Sequence, residues 1–443
     1  MDEQICALLI AKICKFSGRP LELTLRVAWI LARHAGPRLA LTRQNGIRFV
    51  LDAMRHHIRD ANLQEAGLHA LLNFAAHAPA NKMAISDEGG LCAVVAALRA
   101  HPDHAGVQEA GCGAFRNLGS LDTVKASIAR AGGVELLLCA LENHPFNATT
   151  QRNSCSALRN ISSDVEIRSQ IGRRGVLNVD RALANHPTNA LVLEAACNLL
   201  RMLATSNTLR HMIVKNDMAA PVVAAMVGHP LVPGLQKAAA AALRNISGGT
   251  TYDQYVDYVW ERRALPALRG ALLTHASHAG VQRACARALV TLGRDEAHQT
   301  RLAQQDQEEG GDVMELLVRG MNLNMSSVDV QTAIIEALCV FVNHGALQES
   351  MVTHGAVGTL LEVGMRHRVL IDRSIFCLNN MRHHVMGWSA ERLLYVGCFK
   401  GDSTCPLSRL AQHLIHHILC FACPACACKV LVRLKNSQQV GPT

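Results

Sequence analysis

Aromatic residues are scarce in this chain of 443 residues, at 4%, and the 32 Gly and 13 Pro are too dispersed for a collagen-like or low-complexity protein. Charge is also thin, with 18% Asp, Glu, Lys and Arg against 49% hydrophobic residues. That balance excludes disorder as the dominant state, because there is enough apolar side chain to bury a large core. Positive charge is missing from the N-terminus, which reads Met1-Asp2-Glu3-Gln4, so the run Ile5 to Ile13 is a poor secretory core. The 16 cysteines do not form a disulfide framework of the kind found in short secreted chains, and ten of them, from Cys6 to Cys377, stand singly. A reducing, cytoplasmic setting is expected, with the nucleus as the alternative. No G-x-x-x-x-G-K-[ST], H-E-x-x-H, G-x-S-x-G or dinucleotide fingerprint occurs. No enzyme and no cofactor are therefore expected. The net charge of +9 corresponds to a pI near 8.9, just below the level that prompts a nucleic-acid reading, and it allows an acidic protein partner without demanding one.

What is present is a repeat. A twelve-residue segment recurs as QEAGLHALLNFA (64–75), QEAGCGAFRNLG (108–119), QRNSCSALRNIS (151–162), LEAACNLLRMLA (193–204), QKAAAAALRNIS (236–247), QRACARALVTLG (282–293) and QTAIIEALCVFV (331–342). A degenerate copy is IDRSIFCLNNMR (371–382), and a weaker one lies in ELTLRVAWILA (22–32) with Trp29 at the key large position. The eighth place, from Leu71 to Leu378, recurs at steps of 44, 43, 42, 43, 46, 49 and 40. Places 4, 7, 8 and 11 are small or apolar, the i, i+3, i+4, i+7 stripe of a helix. Glycine inside a helix costs about 1 kcal/mol against alanine, so Gly67 and Gly111 at place 4 imply close helix contacts.

Each period holds two further helices. A short one, such as VKASIARAGG (124–133), ends at Gly or Asn. A medium one, such as VELLLCALENHP (134–145), stops at His-Pro because proline disfavours helix at the residue before it. A unit of three helices in about 43 residues cannot bury its own stripe, so the copies must stack. Insertions at 248–259 and 303–312 read as loops.

The segment endings A-L-R-N-[IL]-[SG], with I-x-x-x-G-G before the next helix, resemble the armadillo-repeat family. The run HPDHAGVQEAGCGAFRNLGS (101–120) is especially similar to armadillo-repeat-containing proteins and to the armadillo region of leucine-rich-repeat kinases. The resemblance spans roughly residues 36–384. It implies an all-α fold, an armadillo-type right-handed alpha-alpha superhelix (solenoid). Residues 1–44 would form degenerate N-terminal cap helices, 45–384 the repeats, and 385–443 a non-repeat, Cys-rich apolar tail. Importin-type members carry Trp four residues before the groove Asn. His69, Gly113, Ser156 and Ala241 stand there instead, which argues against a nuclear-localisation-signal receptor.

At about 100° per residue, place 9 points away from the buried stripe and place 10 sits on its shoulder. Place 9 is Arg116, Arg159, Arg201 and Arg244, and place 10 is Asn73, Asn117, Asn160 and Asn245. Arginine suits carboxylates and phosphates through its planar fork, and asparagine suits a peptide backbone. The resemblance implies a concave groove, lined by the long helices, where these eight residues hold an extended or helical segment of a protein partner. The alternative is that the Asn residues only tie neighbouring repeats together. The His-Pro histidines, His101, His144, His186 and His229, come one per repeat and form no metal ligand set. Cys112, Cys155 and Cys197 at place 5 read as core. The tail segment LIHHILCFACPACACKVLVRL (414–434) admits a zinc site, an acylated membrane tether, a membrane span, or a terminal stretch outside the fold. The abrupt break in composition favours the last. The expected function is a non-catalytic interaction scaffold or adaptor. The alternatives are a regulatory module like that of a leucine-rich-repeat kinase and a scaffold tethered through its tail.

Overall fold

A computed structural model describes residues 19–248 and 254–381. Among them are twenty-four α-helices, one short 3-10 helix and no strand. The expected all-α, three-helix repeat is present. In one copy the short helix is Asp122–Arg130, the medium helix Gly133–Asn143 and the long helix Ala148–Ile161. The chain divides into two units, Met1–Leu292 and Gly293–Thr443. The tail segment 414–434 and residues 1–18 lie outside the described residues.

In the first unit the long helices are Arg19–Ala32, Ala61–Ala75, Ala105–Leu118, Ala148–Ile161, Ala190–Leu203, Pro233–Ser247 and Ala279–Leu292. Each packs against the next. The predicted stripe is the buried one: Gly111, Ala114, Phe115 and Leu118 are all inside. Place 4 needs its small residues for a concrete reason. A Cβ on Gly111 would come within 2.5 Å of Leu98 Cδ2, on the medium helix that precedes it. Cys112, Cys155, Cys197 and Cys285 are fully buried, and desolvation pushes their thiols up to about 12.

The short helices end in a left-handed residue: Asn45, Gly89 and Gly132 in the first unit and Gly310 and Gly355 in the second are of the expected type, while Asp217 and Arg263 take that place where Gly or Asn is expected. One repeat departs from this. There the turn is a residue shorter, and Val165–Asn185 is continuous across a kink at Gly172 (φ 48°, ψ −144°).

The first turn of most long helices is held by a side chain that the sequence reading passed over. Gln64 is fully buried and donates to Met54 O (2.8 Å) and His57 O (3.0 Å) at the end of the medium helix. Gln108, Gln151, Gln236, Gln282 and Gln331 repeat this at the same spacing. Terminal helix carbonyls have no partner inside their own helix, so one amide satisfies two of them. The His-Pro histidines bind the preceding repeat. His144 Nε2 donates to Pro102 O at 2.8 Å, and His101, His186 and His229 make the equivalent bond.

Two expectations need correction. Most of 303–312 is not a loop: Glu296–Glu309 is one helix, capped by Asp295 and closed by Gly310. Residues 254–259 are likewise helical, within Gln254–Glu261, where Trp260 and Val259 are buried and Trp260 Nε1 donates to Leu292 O. Apolar burial in that insertion outweighs its loop-like composition. Residues 249–253 lie outside the described residues.

In the second unit the same pattern runs through Val313–Leu323 and Val328–Phe341, then Gly345–Thr353, Ala356–Arg366 and Ile371–Asn380. Its cores are Met314, Leu338, Phe341 and Met351, all fully buried.

Candidate functional site

The eight residues singled out at places 9 and 10 all fall in the last turns of consecutive long helices of the first unit. The asparagines follow one rule. Asn73 Nδ2 donates to Trp29 O (2.9 Å), Asn117 to Leu72 O (2.9 Å), Asn160 to Arg116 O (2.9 Å) and Asn245 to Arg201 O (2.8 Å). Each acceptor sits at place 9 of the preceding long helix. This bond fixes the stagger of neighbouring repeats. A primary amide has two N–H groups, so one donor per Asn remains for other use.

That rule also moves one residue. Trp29 accepts from Asn73 as Leu72 accepts from Asn117, so it occupies place 9, one position beyond the large position expected for it. Ala28 takes place 8 instead, at 7% exposure. The weaker copy at 22–32 carries too few landmark residues for its register to be read from sequence.

The asparagine oxygens orient the arginines. Arg159 Nη1 donates to Asn160 Oδ1 (2.9 Å), and Arg244 Nε and Nη2 donate to Asn245 Oδ1 (3.2 and 3.0 Å). Arg116 Nη1 reaches Asn153 Oδ1 on the next long helix at 2.7 Å, while Asn153 Nδ2 donates to Glu109 O. Asn153 thus joins the site, as do Arg152 and Arg287. Their signal in the sequence was weak, since they occupy places filled by other residue types in neighbouring copies.

The electrostatics are one-sided. Among the described residues no carboxylate lies within ion-pair distance of Arg116, Arg159, Arg201 or Arg244. Partial burial weakens the hold of Arg116, Arg201 and Arg244 on their protons. Like charge adds to this: Arg152 acts on Arg116, Arg159 and Arg244 on Arg201, and Arg287 on Arg244. Like-charge repulsion thus links Arg159, Arg201, Arg244 and Arg287 in sequence, and Arg116 to Arg152. A row of forked donors with no internal counter-charge is built to receive anions.

At the N-terminal end the same face changes character. The Trp29 and His69 rings stack at 4.1 Å between centroids, 8° from parallel. Burial, followed by the charge of Arg26, lowers the His69 pKa to about 4, so the imidazole is neutral at pH 7. Arg26 itself is paired with Glu22 at 2.7 Å.

Residues 41–252 match the family model described as LRRK2 ARM repeat. No curated protein matches the chain. Among solved structures, an engineered protein from the Northeast Structural Genomics Consortium aligns with a TM-score of 0.69 and 22% identity, over 93% of this chain and 98% of that one. A structure concerning a conserved phosphorylation switch that controls the interaction between cadherin and beta-catenin aligns with a TM-score of 0.63 and 16% identity, over 92% and 82%. At these identities the likeness is one of fold. Among the described residues, no helix is long and apolar enough to cross a membrane.

Proposed function

We propose that this armadillo-repeat chain is a non-catalytic interaction scaffold that holds an extended, acidic segment of a protein partner along the face formed by its long helices. One observation carries the reading: Arg116, Arg159, Arg201 and Arg244 recur in register on four consecutive long helices, each of Arg116, Arg201 and Arg244 feels a neighbouring arginine, and none has a carboxylate partner of its own. Stacked helices lie about 10 Å apart and an extended peptide advances about 3.3 Å per residue, so the arginine rungs recur about every third residue along a ligand. The asparagine N–H groups left over beside them suit the ligand backbone. In this reading Asn73, Asn117, Asn160 and Asn245 serve two masters, the neighbouring repeat and the ligand.

The test is binding of a fluorescein-labelled Asp/Glu-rich peptide, followed by anisotropy. Charge reversal by Arg159→Glu with Arg244→Glu is expected to weaken it by at least tenfold with the melting temperature held. Unchanged affinity would sink the proposal.

A second reading has its own support. The match over residues 41–252 favours a regulatory module like the corresponding region of a leucine-rich-repeat kinase. In that case the acidic segment belongs to an enzyme that the chain controls, and the same face makes the contact.

A further inference from the structure

The cationic row does not run the full length of the long-helix face. With the register set by the asparagine bonds, place 9 reads Trp29, Leu72, Arg116, Arg159, Arg201 and Arg244, and then Val290 on the last long helix of the first unit. Two apolar rungs precede four basic ones. The first is the Trp29 indole, half-buried and stacked on the His69 imidazole. The second is Leu72, also half-buried, whose side chain lies over Gly113 on the next long helix, where a Cβ would collide with it. The glycine at place 6 is what lets the leucine lie flat along the face.

Charge distinguishes this end from the rest. The nearby cation, Arg26, is neutralised by Glu22, and His69 carries no charge near neutral pH. A carboxylate placed against the stacked rings would lose water, and the cation acting on His69, Arg26, is already paired. An aromatic or large aliphatic side chain would gain contact with a rigid ring pair and a leucine, the kind of partly dry pocket in which interface anchors sit.

We infer that Trp29, His69 and Leu72 form an apolar anchor subsite, which receives an aromatic or large aliphatic side chain of the same extended ligand whose carboxylates pair with the arginines. This rests on the reading given under Proposed function. The Trp29 and Arg116 rungs are two repeats apart, about 20 Å, which sets the anchor about six residues from the first acidic residue of the ligand. The ligand is therefore bipartite, with an apolar anchor at one end and an acidic run at the other.

The experiment uses the full chain and labelled twelve-residue peptides. One carries an Asp/Glu run with Phe about six residues from its first carboxylate, synthesised in both chain directions. Its counterpart has Gly in place of Phe. One direction of the Phe peptide is expected to bind about tenfold more tightly than its Gly counterpart, the effect of burying much of one aromatic side chain. Trp29→Ala is expected to erase that preference. A second measurement needs no variant: the Phe peptide should shield tryptophan emission from acrylamide more than the Gly peptide does. Equal affinity and equal quenching for the two peptides would overturn the anchor, and loss of both on Arg159→Glu would show that the arginine row still binds. If neither peptide binds the unaltered chain, the reading beneath the inference falls, and the inference with it.

Discussion

At the scale of single residues, the repeats are joined by polar side chains that spend their donors on backbone carbonyls. Gln151 is 1% exposed and bonds Leu141 O at 2.8 Å and His144 O at 3.0 Å. Replacing it with methionine keeps the volume and strands two buried acceptors, so Gln151→Met should cost about 1–3 kcal/mol in urea unfolding. His69 gives a pH signature. Its pKa is lowered from 6.5 to about 4 in the folded chain, so the unfolded chain binds the proton more readily between those values. The associated stability is fully present above pH 6.5 and is lost as pH falls towards 4. The melting temperature of His69→Phe should therefore fall less than that of the unaltered chain on acidification through this window. Equal slopes would show that His69 is not the group responsible.

At the scale of elements, one repeat breaks the rules that hold in the others. The helix Ala190–Leu203 has Leu193 where six other copies have the clamping Gln, and Met202 where its two neighbours have Asn160 and Asn245. The turn leading to it is shortened at Gly172, and an ionic contact stands nearby. Arg174 pairs with both Glu135 and Glu142 of the preceding medium helix at 2.7 Å, and its hydrogen bonds hold both carboxyls below the usual range. Nothing lies within 4 Å of a Cβ built on Gly172, so space is no obstacle there. Its φ of 48° with ψ of −144° is a conformation that side chains disfavour. Gly172→Ala should thus destabilise by about 1–3 kcal/mol through backbone strain alone. A neutral result by denaturant melt would mean that the kink relaxes.

At the scale of the whole molecule, the first unit carries both the stack of long helices and the unneutralised arginine row. Arg201 lies between Arg159 and Arg244, and both repel it. Arg201→Gln should leave the melting temperature level or raise it, because it removes like-charge repulsion, while weakening an acidic peptide several-fold under the proposed function. Exposed charges are screened beyond about 10 Å at 0.1 M salt. Peptide affinity should accordingly fall as sodium chloride is raised from about 0.05 to 0.5 M, with a shallower slope in the Arg201→Gln chain. A salt-independent affinity would remove the row from the binding account. The second unit repeats the packing logic: Gln331 bonds Met321 O and Asn324 O as its counterparts do.

The sequence by itself determined the repeat, the three helices in it and the buried stripe. Each depends on local spacing: 3.6 residues per turn places Gly111, Ala114, Phe115 and Leu118 on one side whatever surrounds them. It also placed the arginines off the buried stripe, although neighbouring helices half-bury Arg116, Arg201 and Arg244. Only the tertiary structure decided how the copies align with one another. The register of Trp29 came from a hydrogen bond to a residue 44 positions away, and the clamping role of the glutamines from carbonyls on another helix. The helicity of the 296–309 segment likewise came from its capping and packing. Such contacts join residues that share no local pattern, so periodicity carries no trace of them.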